Sequence, residues 1–578
     1  MIERVTAGAA PAGRCIQLHS PDAHPGPTPG PRGVCDHRAV RAADHPDATR
    51  RPPRPRPALV TAIAALAAAA LLLLAGCDRA VEGQARPDPA VGAPAGLAAY
   101  YGQTLAWGSC LPFAVTPDQK IAYADPSLQC TRLRVPLDYA NPGGRDAQIA
   151  VLRHRASSPD RRIGSLVVNP GGPGASGVET AAALTSAVIG TELGARFDLV
   201  GFDPRGIGAS TPTVRCLTGP EQDADRRADD TDPSPAGVAA SEDEAKRSVA
   251  GCVARTGDDV LATIGTRDVA RDMDVLRAAL GDRGLNYLGY SYGTRIGSTY
   301  AEEFPANVRA MVLDGALDPD ADPTDEVVAQ GRGFQGAFDA FARDCATHPD
   351  CPLGTDPTAA TARYQQLTRP LITRQLSLAD GRVLSYSDAQ QGTIQALYTE
   401  SAWPTLRQGL SDLAAGRGGA LMDLADQYYD RGADGQYSPE QDAFNAVRCV
   451  DDPRLDAPAQ ALDRATRYDA AAPFLSSGRG PSAARDECAF WPVPPTSRPH
   501  LPQVPGLRAP LVVSTTGDPA TPYQAGVELA AALKGSLLTK VGDQHTATLQ
   551  GFPCVDAIVT RYLVDGTPAA SGATCPAQ

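Results

Sequence analysis

The chain has 578 residues, a formal net charge of −13 and a sequence pI near 5.2, an acidic balance that argues against nucleic acid as a partner. Only 8 His are present and no C-x-x-C occurs, so a metal site is not expected. No P-loop or dinucleotide fingerprint is found; Gly171-Gly172-Pro173-Gly174 lacks the Lys and Ser/Thr of a phosphate cradle, and no cofactor is implied.

Residues 1–57 are Pro- and Arg-rich without a hydrophobic pattern, a disordered leader or a misassigned start. From Ala58 to Gly76 runs an uncharged Ala/Leu stretch, preceded by Arg51, Arg54 and Arg56 and closed by Leu74-Ala75-Gly76-Cys77, which resembles a bacterial lipobox. A membrane-spanning anchor is the alternative, since the length suffices. The charged start, small-residue end and terminal Cys favour a processed signal over 58–77 with Cys77 as the lipidated residue. The expectation is therefore an exported protein, a cell-envelope lipoprotein or extracellular, held to the membrane through Cys77. Residues 78–97, rich in Pro, Ala and Gly, read as a linker. After Cys77 come Cys110, Cys130, Cys216, Cys252, Cys345, Cys351, Cys449, Cys488, Cys554 and Cys575, an even set that fits disulfides in an exported chain. Sequence leaves the pairing open; consecutive pairing is expected because each such pair falls within one local segment.

Strands are expected over 131–137, 149–154, 165–168, 198–202, 286–288, 310–313, 511–514 and 537–540, with a helix over 267–280 capped by Thr266. Alternating strands and helices imply an α/β fold, a doubly wound, mostly parallel sheet. Residues 98–319 and 500–578 form its two parts. Between them, 320–499 turn helical, with spaced apolar positions such as Phe334, Phe338, Phe341 and Leu397, and read as an inserted lid. Residues 219–248, acidic and Ala/Pro-rich, read as a surface excursion.

Four segments carry the chemistry. The strand over 165–168 runs into Asn169-Pro170-Gly171-Gly172-Pro173-Gly174-Ala175-Ser176-Gly177, where glycines let backbone amides approach a substrate. Gly289-Tyr290-Ser291-Tyr292-Gly293 sits between a short strand and a helical run, the context in which G-x-S-x-G presents an exposed nucleophile. Asp518 follows a late strand, and His545 follows the next, so both return to one sheet edge. A serine hydroxyl needs a base to attack a carbonyl. His545 would take and return the proton, and Asp518 would hold its tautomer. Asp543 is the rival acid. The amides of Gly172 and Tyr292 would stabilise the oxyanion.

With Gly201-Phe202-Asp203-Pro204-Arg205-Gly206-Ile207-Gly208-Ala209-Ser210, Asp518-x-x-Thr521-Pro522, Gly542-x-x-His545, Met311-Val312-Leu313-Asp314-Gly315 and Cys488-Ala489-Phe490-Trp491-Pro492, the chain resembles the proline iminopeptidase and tripeptidyl aminopeptidase family of serine peptidases, from about Cys130 to Cys575. It departs at Cys449-Val450-Asp451, where relatives often have Asn in the middle. The resemblance implies an α/β-hydrolase fold and peptide substrates cleaved near the N-terminus, with tripeptides as the expected product. A free α-ammonium calls for a carboxylate; Asp451 is the candidate that matches the family's Cys-x-Asp piece, with Glu400 and Asp452 also in the lid. Trp491, Tyr398 and Trp403 are candidates to line subsites. A bare triad also fits a carboxylesterase or lipase, and a lipid-anchored, non-catalytic binding protein is the reading from a different class. Oligomeric state is not legible.

Overall fold

The computed structural model describes residues 93–577; the leader, the signal over 58–77, Cys77 and most of the linker lie outside them. Among the described residues eleven strands form: β1 Leu128–Pro136, β2 Asp146–His154, β3 Gly164–Asn169, β4 Phe197–Phe202, β5 Leu285–Tyr290, β6 Val308–Asp314, β7 Leu376–Ser377, β8 Val383–Leu384, β9 Leu511–Thr515, β10 Ser536–Lys540 and β11 Ala573–Cys575. Nine make one sheet in the order β1-β2-β4-β3-β5-β6-β9-β10-β11, while β7 and β8 pair as a separate hairpin. β1 pairs antiparallel with β2, and β2 with β4; every other pairing in the large sheet is parallel. β3, β4 and β5 are buried at every residue, as expected of parallel strands covered on both faces. This is the α/β-hydrolase architecture that the family resemblance implies.

All eight expected strands form, with ends shifted by at most three residues; β1 stops at Pro136, short of the expected Leu137. β11 was not anticipated, because Ala-Thr-Cys offers no alternation to read. The expected helix is Thr266–Ala279, but Thr266 is its first residue rather than its cap, and Gly265 holds the cap position without a side chain to offer. The orphan Thr266 amide is instead satisfied from afar, by Asp451 at 2.9 Å.

The expected excursion at 219–248 is in fact ordered helix, Gly219–Asp225 and Pro235–Thr256. Its acidic residues hide an inward stripe of Ala245, Val249 and Cys252. Between β6 and β9 lie the helices Pro323–Ala346, Ala360–Thr368, Tyr386–Leu397, Trp403–Ala414, Gly419–Tyr428, Glu440–Asp451 and Pro458–Ala471. They enclose a core of their own around Phe334, Phe338, Phe341, Tyr364, Leu397 and Phe474, with Phe338 stacked on Phe474 at 4.6 Å. Arg226 joins the two insertions: it is buried and bonds Asp388 at 2.8 Å and Asp426 at 2.7 Å. Disulfides link Cys110–Cys130, Cys216–Cys252, Cys345–Cys351, Cys449–Cys488 and Cys554–Cys575, the consecutive pairing. Among the described residues no helix is long and apolar enough to cross a membrane.

Candidate active site

The loops that follow β3, β5, β6, β9 and β10 leave the same edge of the sheet, where sites gather in open α/β folds. They bring Gly172, Ser291, Gly315, Asp518 and His545 to that edge. Ser291, directly after β5, has φ 53° and ψ −126°, a left-handed conformation that a non-glycine residue adopts only under constraint. The constraint is visible. The Ser291 amide donates to the Asp314 carbonyl at 2.9 Å, and the Thr294 hydroxyl donates to the Ser291 carbonyl at 2.7 Å. The flanking glycines are required by space: a Cβ on Gly289 would lie 2.5 Å from the Gly293 carbonyl oxygen, and one on Gly293 would lie 2.8 Å from that of Asn169.

His545 Nδ1 lies 2.9 Å from both carboxylate oxygens of Asp518. An ionised carboxylate only accepts, so Nδ1 carries the proton and Nε2 is left as the basic nitrogen. His545 Nε2 is buried and has no partner among the described residues. Asp518 is 3% exposed and also accepts from the amides of Ala520 and Thr521 and from the Thr521 hydroxyl, at 2.9, 2.8 and 3.0 Å. Such a set of donors fixes the orientation of the carboxylate. The His545 amide donates to the Tyr398 carbonyl at 2.8 Å, and the Tyr398 ring meets the imidazole edge-on at 5.5 Å. Asp543, the rival acid, lies against Gly517 and its amide donates to Glu400.

Two buried aspartates organise the loops. Asp314 Oδ2 accepts from the amides of Ala547 and Thr548 at 2.9 and 2.6 Å, fixing the turn after His545. Asp203 accepts from the Ser176 hydroxyl and the amides of Val178 and Ala209, tying the glycine loop to the 201–210 motif. Burial raises both carboxyls to about 6 against those hydrogen bonds. In the same motif, Arg205 forms a two-pronged pair with Asp272 at 2.8 and 2.7 Å. In the glycine loop, Gly171, Gly172 and Gly174 have φ of 92°, 104° and 109°. A Cβ on Gly171 would fall 2.8 Å from the Tyr292 amide nitrogen, so the loop lies directly over the elbow. The amides of Gly172 and Tyr292 have no acceptor among the described residues.

Gly172, Ser291, Tyr292, Tyr398 and Thr521 open onto a cavity of about 210 Å³. The same cavity is lined by Arg295, Glu326, Glu440, Phe444, Asp451 and Asp452. Asp451 borders the cavity, yet it is fully buried and its oxygens accept from the Thr266 amide and hydroxyl; that hydroxyl also meets the Tyr292 hydroxyl. It therefore caps the helix Thr266–Ala279. Glu400 is exposed and lies outside the cavity lining. Trp491 is buried in the core beneath the sheet, and Trp403 packs against Phe341 in the helical core. Val450, the residue where relatives often have Asn, is also core. Thr521, Asp314 and Glu326 were not singled out from sequence. Asp518-x-x-Thr521 has the form of a carboxylate turn and could have been read. Asp314 closes β6 inside the Met311–Gly315 motif with nothing local to mark its role, and Glu326 gives no local signal.

A family profile described as the alpha/beta hydrolase fold matches residues 164–551. The chain is 47% identical over 521 residues to the serine protease Hip1 of Mycobacterium tuberculosis, covering 89% of this chain and 96% of that protein. It is 48% identical over 463 residues to carboxylesterase B of the same organism, covering 80% and 88%. To the tripeptidyl aminopeptidase of Streptomyces coelicolor it is 32% identical over 461 residues, covering 78% and 83%.

Proposed function

This chain belongs to the α/β-hydrolase family and is a serine hydrolase, and from that premise we propose that it is an exported serine exopeptidase releasing tripeptides from peptide N-termini. Ser291 Oγ attacks the scissile carbonyl while His545 Nε2 takes its proton. Asp518 keeps the imidazole in the reactive tautomer and stabilises the imidazolium. The amides of Gly172 and Tyr292 receive the oxyanion. His545 then protonates the leaving amine, and water, activated by the same nitrogen, hydrolyses the acyl-enzyme. The observation that carries this reading is the buried, unpartnered Nε2 of His545, its Nδ1 fixed by Asp518, on the sheet edge that holds the strained Ser291.

Peptide over ester is supported by the relatives named as a serine protease and a tripeptidyl aminopeptidase and by the carboxylates of the cavity, which suit an α-ammonium. The 48% identity to a protein named carboxylesterase B favours an esterase as the second reading. Export is supported by the five disulfides, which suit an oxidising compartment, and lipidation at Cys77 by the lipobox-like Leu74-Ala75-Gly76-Cys77. The deciding experiment is mass spectrometry of products from free and N-acetylated peptides. Tripeptide ladders from free peptides alone are expected. Turnover of simple esters with no peptide cleaved would move the assignment to esterase, and failure of a fluorophosphonate to label Ser291 would leave a binding protein.

A further inference from the structure

The substrate cavity shares a wall with a second, smaller one. That second cavity, of about 50 Å³, is also bordered by Glu302, Asp318 and His500. Arg295, Glu326 and Asp452 face both. The three come from separate elements: the helix Tyr292–Glu303 that starts at the elbow, the first turn of Pro323–Ala346, and the residue after Glu440–Asp451. Arg295 pairs with Asp452 at 2.7 Å, with side chains 25% and 20% exposed.

The carboxylates around the cavity differ in what they have left to offer. Asp452 is neutralised by Arg295, Asp451 is bonded by Thr266, and Asp486 is held by Arg448 and Arg464 at 3.0 and 3.1 Å. Glu440 also has a partner. The Glu326 carboxylate alone among these has no hydrogen bond or ion pair among the described residues. Burial pushes it up to about 7, with Asp452 and Asp318 adding to the rise and Arg295 opposing it. A half-buried carboxylate in this state gains most from an incoming cation.

Resting on the exopeptidase reading above, we infer that Glu326 receives the substrate's α-ammonium and that, with the Arg295–Asp452 pair, it forms the end wall that sets the length of the released peptide. The wall starts close to the nucleophile: Arg295 stands four residues beyond Ser291, about 6 Å along the helix, within the roughly 10 Å that three extended residues span. On this wall the Asp452 carboxylate is already paired with Arg295, so the unpaired Glu326 is the group left to take an ammonium.

The test is kcat/KM on matched free and N-acetylated peptides, with product lengths read by mass spectrometry. In Glu326→Gln the preference for free over acetylated peptide should fall about 50-fold, the loss of one charge-assisted bond, with product length kept. Glu326→Ala joins the two cavities and should release products longer by at least one residue. Glu326→Asp should restore part of the preference. An unchanged preference in Glu326→Gln, or unchanged product lengths in a folded Glu326→Ala, overturns the inference while the exopeptidase reading stands. If Glu326→Ala fails to fold, the Gln ratio decides alone. A wild-type chain that cleaves no free peptide defeats the exopeptidase reading itself, and this inference with it.

Discussion

At Ser291 the backbone is held at φ 53° by the Asp314 carbonyl and the Thr294 hydroxyl. Holding a side chain there costs on the order of 1–3 kcal/mol, and a fold that needed only a turn would place glycine at the site. The strain lifts the hydroxyl out of the strand-to-helix corner toward the cavity. Stability and activity should therefore move in opposite directions at this residue. Ser291→Gly is expected to stabilise the protein by about 1 kcal/mol and to abolish turnover. Ser291→Ala keeps the Cβ and the strain, so it should be equally inactive without the gain. Denaturant unfolding of both variants checks this. A Gly variant less stable than the Ala variant would mean that the elbow is not strained, and residual turnover near wild type in either would remove Ser291 as nucleophile.

Strands and loops meet through the buried carboxylates of Asp203 and Asp314, each raised to about 6 in the fold from an ordinary 3.8. Raised values mean that the folded chain holds these protons more tightly than the unfolded one. Their contribution to stability is full below pH 3.8 and is lost as pH rises through about 6. A rise of this size is worth about 3 kcal/mol per group, an upper figure because each carboxylate keeps its loop amides when ionised. Relative to wild type, Asp314→Asn should therefore be less unfavourable at pH 7 than at pH 4, and Asp203→Asn likewise. Urea unfolding at the two pH values measures the difference. A variant-minus-wild-type difference that grows from pH 4 to pH 7 would show that hydrogen bonding from Ala547 and Thr548, not burial, dominates Asp314. Activity should fall in Asp314→Asn at every pH, because the same carboxylate fixes the turn that carries His545.

Eight strands of the large sheet were readable because a buried strand is a short, mostly apolar run, and Ser291, Asp518 and His545 were readable as candidates because each lies no more than five residues beyond such a run. What was not readable depends on partners far apart in sequence. Arg226 bonds residues 162 and 200 positions away, and nothing near it in an acidic, Ala-rich segment signals that it is buried. Glu400 and Trp491 were nominated by residue type, and only packing shows the first on the surface and the second in the core. Thr266 was read as a cap by its type, whereas the cap is Asp451, 185 residues away. The Arg226 cluster also determines how the molecule should come apart. The helical region has its own core and is fastened to the 219–256 helices by Arg226 with Asp388 and Asp426. Removing one member of a buried pair strands the other charges and costs about 3–5 kcal/mol. Arg226→Ala should lower the first unfolding midpoint and split the transition, the helical region melting before the sheet. Activity should vanish with the first step, since the Tyr398 carbonyl holds the His545 amide and the helical region supplies most of the cavity. Near-UV and far-UV melts followed beside residual turnover test this. One cooperative transition at the wild-type midpoint would show that the two insertions do not depend on Arg226, while a split transition with activity surviving the first step would show that the helical region is not needed to hold His545.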